Sequence, residues 1–275
     1  MVMSLPADVL DYILSFLQSD TDTLKACSRS HPILSQLVER YLYTSITLRD
    51  DISLEASELN ELLHNRPHVA NYVFALEIEF AYGTDQKALG PFLEAISFIL
   101  PMLTMLRKIR LSHTRPATVT WQMLPEKFYL AFLDCLRLPS MATICIEFFA
   151  FPLSALTQCK HIGNLSIRGW SHGPETVIVG GNHTPFPTID SLALHDCCPR
   201  FLDTFSNWTQ PRNISTLEFS DTSFGRSFNN LPRILICCSH SLTSLDVDIG
   251  KRCMSNSYFK LALEFYVWIL RYKLL

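Results

Sequence analysis

Glycine is scarce in this sequence, with nine residues in a chain of 275. The chain has no Gly-x-x-x-x-Gly-Lys, Gly-x-Ser-x-Gly or His-Glu-x-x-His motif, which would indicate phosphate binding, a serine nucleophile or a catalytic zinc ion. Charged residues make up only 18%, and lysine and arginine form no cluster that would attract a nucleic acid or an anionic membrane. These absences make an enzyme the weakest hypothesis and favour a protein partner.

The sequence has nine cysteines but no Cys-x-x-Cys pair. An odd count, with two pairs adjacent in sequence, fits reduced cysteines better than a disulfide framework. No basic region followed by an apolar run, as in a secretory signal, is present at the N-terminus. We therefore expect a protein of the cytoplasm or the nucleus that does not bind a membrane.

Two short pairs about 40 residues apart, His195 with Cys197 and Cys237 with His240, are the best candidates for metal ligands. Zinc needs four converging ligands, whereas Cys237 and Cys238 lie in an apolar run. Buried cysteines explain this pattern better. We predict neither a metal nor a cofactor.

The clearest local pattern lies in residues 5–17, where large apolar residues follow a proline at helical spacing. Proline suits the first turn of a helix, because the N–H groups there have no intrahelical acceptor. The spacing predicts a short amphipathic helix whose apolar face is wider than one intramolecular partner would cover. The face consists of Leu5, Pro6, Val9, Leu10, Ile13, Leu14 and Leu17, and Tyr12 and Phe16 extend it sideways.

This opening resembles the F-box family, whose first helix begins with Leu-Pro and carries paired aliphatic residues at the same spacing. The resemblance continues through Asp20-Thr-Asp22 as a helix cap and residues 24–28 as a second helix, and then through a third helix and an exit segment that ends at residue 48. Within this exit segment, residues 46–48 have the pattern of a strand. Ser28-Arg29-Ser30-His31-Pro32 stands where the family usually has Val-Cys-Arg-x-Trp. The resemblance implies a three-helix F-box in residues 1–48, whose opening apolar residues bind a Skp-type adaptor of a cullin ligase. The alternative is a helical cap on the structure that follows.

After residue 48, the spacing apolar-x-x-apolar-x-apolar occurs seven times. Helix-like segments stand between several copies, at residues 91–100, 125–136, 199–208 and 231–238. Alternating strands and helices predict an α/β solenoid arc, in which parallel strands are backed by helices. The copies are Val73/Leu76/Ile78, Leu106/Ile109/Leu111, Met141/Ile144/Ile146, Ile162/Leu165/Ile167, Ile189/Leu192/Leu194, Ile214/Leu217/Phe219 and Leu242/Leu245/Val247.

The repeated pattern resembles the leucine-rich repeats that follow many F-boxes, and the resemblance covers residues 70 to about 250. The whole chain is similar to the large F-box families of mushroom-type fungi. We therefore divide it into an F-box, residues 1–48, and a leucine-rich-repeat-like substrate-binding region, residues 49–275. The alternative is an ordinary α/β domain whose strands share a pattern by chance. Residues 258–275 are apolar but too short for a membrane span, and they indicate either a capping helix or a chain truncated from a longer array.

Between the apolar positions of each copy stand residues that must point to the opposite face of the sheet, because side chains alternate along a strand. In a solenoid this is the concave, ligand-facing side, although such a face is polar whether or not it binds anything. The acidic pairs Glu77/Glu79 and Asp246/Asp248 could be interpreted as a catalytic acid and base, but charged residues on a solvated face explain them better. The residues expected to bind a partner are Glu77, Glu79, Lys108, Arg110, Asn164, Arg168, His195, Glu218, Asp246 and Asp248.

These features favour the substrate-recognition subunit of an SCF-type ubiquitin ligase, in which the repeat arc binds a protein and other subunits perform catalysis. A non-catalytic leucine-rich-repeat scaffold without a ligase fits the same sequence if the N-terminal helices only cap the solenoid. A hydrolase or transferase would need a nucleophile that the sequence does not supply.

Overall fold

The computed structural model describes residues 5–81, 86–114, 121, 124–149, 151–169, 187–198, 201–202, 205, 213–221 and 231–249. Eight strands form one sheet in which every neighbouring pair is parallel and the spatial order follows the chain. The strands are β1 Ser45–Arg49, β2 Ala75–Phe80, β3 Lys108–His113, β4 Thr143–Glu147, β5 His161–Arg168, β6 Thr188–His195, β7 Thr216–Asp221 and β8 Ser244–Ile249.

Three helices precede the sheet: α1 Ala7–Ser15, α2 Thr21–Ser30 and α3 Pro32–Leu42. Asp20 caps α2 as the sequence predicts, because its carboxylate accepts hydrogen bonds from the Thr23 N–H at 3.0 Å and the Thr23 hydroxyl at 2.6 Å. These bonds lower the pKa of Asp20. The three helices share a small core of their own, formed by Leu14, Leu24 and Val38.

The seven predicted copies of the apolar spacing coincide with β2 to β8 and the residue positions just before them. Every apolar residue of these copies is buried except Leu245 and Val247, which are partly buried at the end of the sheet. Strand pairing joins them into two rows that cross the sheet, one through Leu76, Ile109 and Ile144 and the next through Ile78, Leu111 and Ile146. A side chain of this kind contributes roughly 1.5–3 kcal/mol on burial, so these rows hold the strands together.

The longer helices that the structure describes beyond β1 are α4 Ser53–Asn65, α5 Gln86–Ile99, α6 Glu126–Leu136 and α7 Leu231–Cys238. α4 packs on α5 and α5 on α6, and their buried residues form one core with the apolar rows. A doubly wound α/β fold reverses its strand order at a switch point and covers both faces of its sheet. The sequential order seen here has no such reversal among the described strands, and right-handed crossovers then return on one side throughout. The α/β class with helix-backed parallel strands is therefore confirmed.

The predicted helices agree with the structure to different extents. Segments 125–136 and 231–238 match α6 and α7. The helix predicted to begin at Pro91 begins five residues earlier, at Gln86, so that Pro91 lies inside α5. Between β4 and β5 the described chain forms only a short 3₁₀ turn, Leu153–Gln158, because the connection is too short for a longer helix. Most of segment 199–208 and all of segment 258–275 lie outside the described residues.

Strand β1 lies inside the segment that the sequence assigned to the N-terminal helical unit. It pairs with β2, and Leu48 belongs to the core of the sheet. Tyr43, Ile46 and Leu48 repeat the same apolar spacing with an aromatic residue in first position, which makes β1 an eighth copy. The sheet thus begins at Ser45, three residues before the boundary placed at residue 48.

Two N-terminal deletions should differ in stability for this reason. Removing residues 1–43 should leave a folded sheet, because the three helices have a separate core. Removing residues 1–48 should lower the free energy of unfolding by about 2 kcal/mol or more beyond the shorter deletion, because β1 and the burial of Leu48 are lost. Urea unfolding followed by circular dichroism measures both. Equal stabilities would contradict the assignment of β1 to the sheet, and an unfolded 44–275 fragment would make the helices part of the main core.

Candidate functional site

One face of the sheet carries the polar residues that alternate with the buried rows, and we call it the outer face. Its side chains form three rows that follow the strand register, and all ten residues predicted to bind a partner lie in them. Most members are exposed or half-buried, although Ser112 is buried. In order from β1 to β8 the rows are Ser45, Ala75, Lys108, Thr143, Asn164, Ser191, Thr216, Ser244; Thr47, Glu77, Arg110, Cys145, Ser166, Ala193, Glu218, Asp246; and Arg49, Glu79, Ser112, Glu147, Arg168, His195, Ser220, Asp248.

Across β2, β3 and β4 the charges of the outer face neutralise one another. Glu77 lies 3.4 Å from Lys108 Nζ and 3.6 Å from Arg110 Nη1, and Arg110 Nη2 donates a 2.8 Å hydrogen bond to Glu147. That bond is the main reason why the pKa of Arg110 is raised. Both cations of β3 are therefore already paired within the face.

Across β5 the situation is different, because the guanidinium of Arg168 lies over the ring of Phe148, with 5.7 Å between Cζ and the ring centroid. Arg168 is exposed, and no carboxylate of the described residues lies within ion-pair distance of it. Asn164, on the same strand, is also exposed and makes one long contact of 3.5 Å with the Thr143 hydroxyl. The middle of the outer face thus presents an arginine that has no carboxylate partner among the described residues.

The backbone turns in the same way after β4, β5 and β6. Phe148, Gly169 and Asp196 have φ angles of 54°, 60° and 51°, in the left-handed region that few residues other than glycine adopt. Each donates its N–H to the next strand, at 2.7 Å for Phe148 to Arg168 and 2.8 Å for the other two. A Cβ at position 169 would lie 2.1 Å from the Phe148 ring, so this position requires glycine. The sequence analysis did not identify Phe148. The available signal was Gly169, because a single glycine directly after a strand indicates a turn with a left-handed backbone.

At the far end of the sheet, β7 and β8 carry exposed carboxylates, Glu218, Asp246 and Asp248. His195 Nε2 lies 3.7 Å from Glu218, and its Nδ1 forms a 2.8 Å hydrogen bond with the Ser220 hydroxyl. Among the residues that the structure describes, no cation lies within ion-pair distance of either aspartate. Glu218 and Asp246 occupy directly paired positions of neighbouring strands. This end is therefore acidic, and within the described ranges its two aspartates are not compensated by a cation.

Helix α1 divides the apolar residues predicted to bind an adaptor. Leu14 is 2% exposed and Leu17 packs beside it in the small helical core, while Leu10 is half-buried. Leu5, Pro6, Val9 and Ile13 are exposed. In this opening segment the most exposed of the large apolar side chains are Tyr12 at 66% and Phe16 at 67%, which the predicted binding set omitted. We call the exposed set the apolar stripe: Leu5, Val9, Tyr12, Ile13 and Phe16.

Burial disfavours the thiolate form of three described cysteines, Cys135, Cys145 and Cys159. Burial raises the pKa of Cys135 and of Cys159 to about 12, and it also raises that of Cys145, against the opposing effect of Lys108 and Arg110. Cys197 is buried and donates to the carbonyl of Ile167 at 3.5 Å. Within the described ranges, no group of three or more His, Cys, Asp or Glu side chains could hold a metal ion. None of the helices in that part of the chain has the length and hydropathy to cross a membrane.

No protein-family model matches this chain, and no curated protein is similar enough to count as a match. The functional inference therefore rests on the two surfaces described above, the apolar stripe and the outer face.

Arg110 on β3 should be coupled energetically to Glu147, its ion-pair partner on β4. In a double-mutant cycle, we expect Arg110→Gln and Glu147→Gln to show a coupling free energy of about 1 kcal/mol, because the pair is well aligned and half-buried. Urea unfolding of the wild type, both single variants and the double variant measures it. The same cycle on Lys108 and Glu77, which are farther apart, should give a smaller value. No coupling for Arg110 would place its guanidinium in solvent.

Cys135 and Cys159 should resist alkylation by iodoacetamide at pH 8. A thiol with a pKa of about 12 carries far less thiolate than one with the ordinary value near 9. We expect their modification in the folded chain to be about a hundredfold slower, or more, than in urea. Mass spectrometry of tryptic peptides gives both rates, and the half-buried Cys27 is the internal reference. Equal rates in the two states would show that the two thiols are not buried.

Proposed function

We propose that this protein is the substrate-recognition subunit of an SCF-type ubiquitin ligase. Its N-terminal helices act as an F-box that docks on a Skp-type adaptor and, through it, on a cullin. Its leucine-rich-repeat-like sheet binds a protein substrate, and the other subunits transfer ubiquitin, so the chain needs neither catalytic residues nor a cofactor. Such a complex works in the cytoplasm or the nucleus, where cysteines are reduced.

The observation that carries this proposal is the apolar stripe on α1. Five large apolar side chains lie exposed along one side of a helix of only nine residues and of the residues that flank it, with Leu5 before the helix and Phe16 after it. Contiguous exposed apolar surface of this kind is typical of a protein-binding site. The helix also supplies Leu14 and Leu17 to the local core. The fold of the unit therefore leaves the stripe available to a partner.

The substrate role is supported by the open outer face. All-parallel sheets are usually covered on both sides, whereas here charged and polar side chains of all eight strands reach solvent on one side. A protein segment lying across these strands would contact several repeats at once, as in other solenoids.

A scaffold without a ligase is the second candidate, and the contact between the helices and the sheet favours it. Glu39 of α3 lies 2.6 Å from Arg66 Nη1 and 3.0 Å from His68 Nε2, both beyond α4. Tyr43, just after α3, packs against the core of the sheet. A helical unit held in this way could serve as a cap for the end of the sheet.

Truncation of the apolar stripe separates the two candidates. We expect Leu5→Ala combined with Ile13→Ala to weaken binding of a purified Skp-type adaptor by about a thousandfold, since each buried anchor contributes roughly 2 kcal/mol. The melting temperature of the chain should change little, because both side chains are about half exposed. Adaptor binding is measured by biolayer interferometry.

The matched control is Phe98→Ala with Leu130→Ala, because each of these residues is 51% exposed on a helix behind the sheet. This control should retain the adaptor at wild-type affinity. Absence of adaptor binding by the wild type would exclude the ligase role and leave the scaffold.

A further inference from the structure

We propose that the outer face binds a protein segment that carries an acidic side chain and, about 10–15 Å away, basic side chains. Arg168 takes the acidic side chain, and Glu218, Asp246 and Asp248 take the basic ones. This inference rests on the substrate-binding part of the proposed function and is independent of the adaptor.

Arg168 differs from the other cations of the outer face. Lys108 and Arg110 are paired with Glu77 and Glu147, and Arg49 lies 3.6 Å from both Asp51 and Glu79. Glu147 and His195 occupy the neighbouring positions of the same row. Glu147 is bonded to Arg110 instead, and among the described residues no carboxylate forms an ion pair with Arg168, whose guanidinium lies over the Phe148 ring. An exposed guanidinium retains its paired N–H donors for a planar carboxylate, which it binds through two parallel hydrogen bonds.

The local backbone restricts where this guanidinium lies. Phe148 adopts a left-handed conformation that costs energy for an aromatic residue, and its N–H bonds to the carbonyl of Arg168 at 2.7 Å. Gly169 leaves the space that the Phe148 ring occupies. The ends of β4 and β5 thus place an aromatic surface against Arg168, and a guanidinium restrained in this way loses less entropy when it binds an anion.

The acidic end supplies the second half of the recognition. Glu218 and Asp246 are directly opposite on paired strands, an arrangement of like charges that destabilises a sheet. A basic side chain laid across them would relieve this repulsion. Strands β7 and β8 are two and three strands from β5, which at a spacing of about 4.8 Å per strand gives the separation of the two charges in the ligand.

The two ends together determine the orientation of the segment. An acidic side chain over β8 and a basic side chain over β5 would each meet a like charge, so the reversed orientation is disfavoured. A nucleic acid is a poor ligand for the same reason, because its phosphates would face the carboxylates of β7 and β8.

The full chain, immobilised through a C-terminal tag, should be panned against a random 12-residue peptide library displayed on phage. We expect enriched peptides to combine an acidic residue with basic residues three to five positions away, a distance set by an extended chain of about 3.3 Å per residue. One enriched peptide is then synthesised and its dissociation constant measured by fluorescence anisotropy. Arg168→Ala should weaken it by about tenfold or more.

Arg107→Ala is the matched control, because Arg107 is also exposed and also lies over an aromatic ring, with 4.8 Å between its Cζ and the Phe74 ring centroid. Arg107 precedes β3, so it lies at the amino-terminal ends of the strands, whereas Arg168 lies at their carboxyl-terminal ends. The effect of Arg107→Ala should stay within about twofold, since Arg107 contacts no ligand there. Panning on the Asp246→Lys/Asp248→Lys variant should no longer select basic residues. Thermal melting of each variant shows whether it is folded.

Three results would overturn the proposal: no enrichment over the unselected library, enriched peptides without the charge pattern, or equal affinity for wild type and the Arg168→Ala variant. A second copy of the chain is the competing occupant. In that case the wild type would be a dimer by analytical ultracentrifugation, and Arg168→Ala would make it monomeric. Adaptor binding is measured separately, so loss of the adaptor and loss of the peptide remain distinguishable.

Discussion

The constraint on which the rest of the structure depends is that each strand lies parallel to the one before it, in chain order. The chain must then return to the starting edge of the sheet after every strand, and right-handed returns all pass on the same side. The helices collect there and bury the two apolar rows with them. The opposite side is left polar and open in the described part of the chain. Both surfaces used in the functional inference follow from this arrangement.

Much of this fold could be predicted from the sequence, because a strand with one buried face leaves an alternating pattern that needs no tertiary information. The positions of β2 to β8 followed from that pattern. Residues 46–48 were predicted to be strand-like, but β1 was not counted as a copy of the spacing, because Tyr43 replaces the aliphatic residue and its neighbours fit the end of a helical motif. The start of α5 was missed because Pro91, which removes a backbone donor, indicated the beginning of a helix rather than its second turn.

The details of the site depend on register and packing, which the sequence does not specify directly. Arg110 and Glu147 are 37 residues apart, and only the pairing of β3 with β4 brings them to 2.8 Å. On α1, the adjacent residues Ile13 and Leu14 share the same periodic pattern, yet only Leu14 faces α2 and α3. Phe148 is a further case, since the space for its ring depends on Gly169, the residue just after β5.

The common register of the eight strands has a consequence for how the molecule can change. Buried residues and solvent-facing residues occupy alternate positions along each strand. A substitution on the solvent-facing side therefore does not change the side chains that fill the core. Exposed positions of the outer face can therefore acquire new chemistry while the buried rows stay the same. The same backbone can therefore carry different binding specificities, because a new specificity requires substitutions only at exposed positions of the outer face.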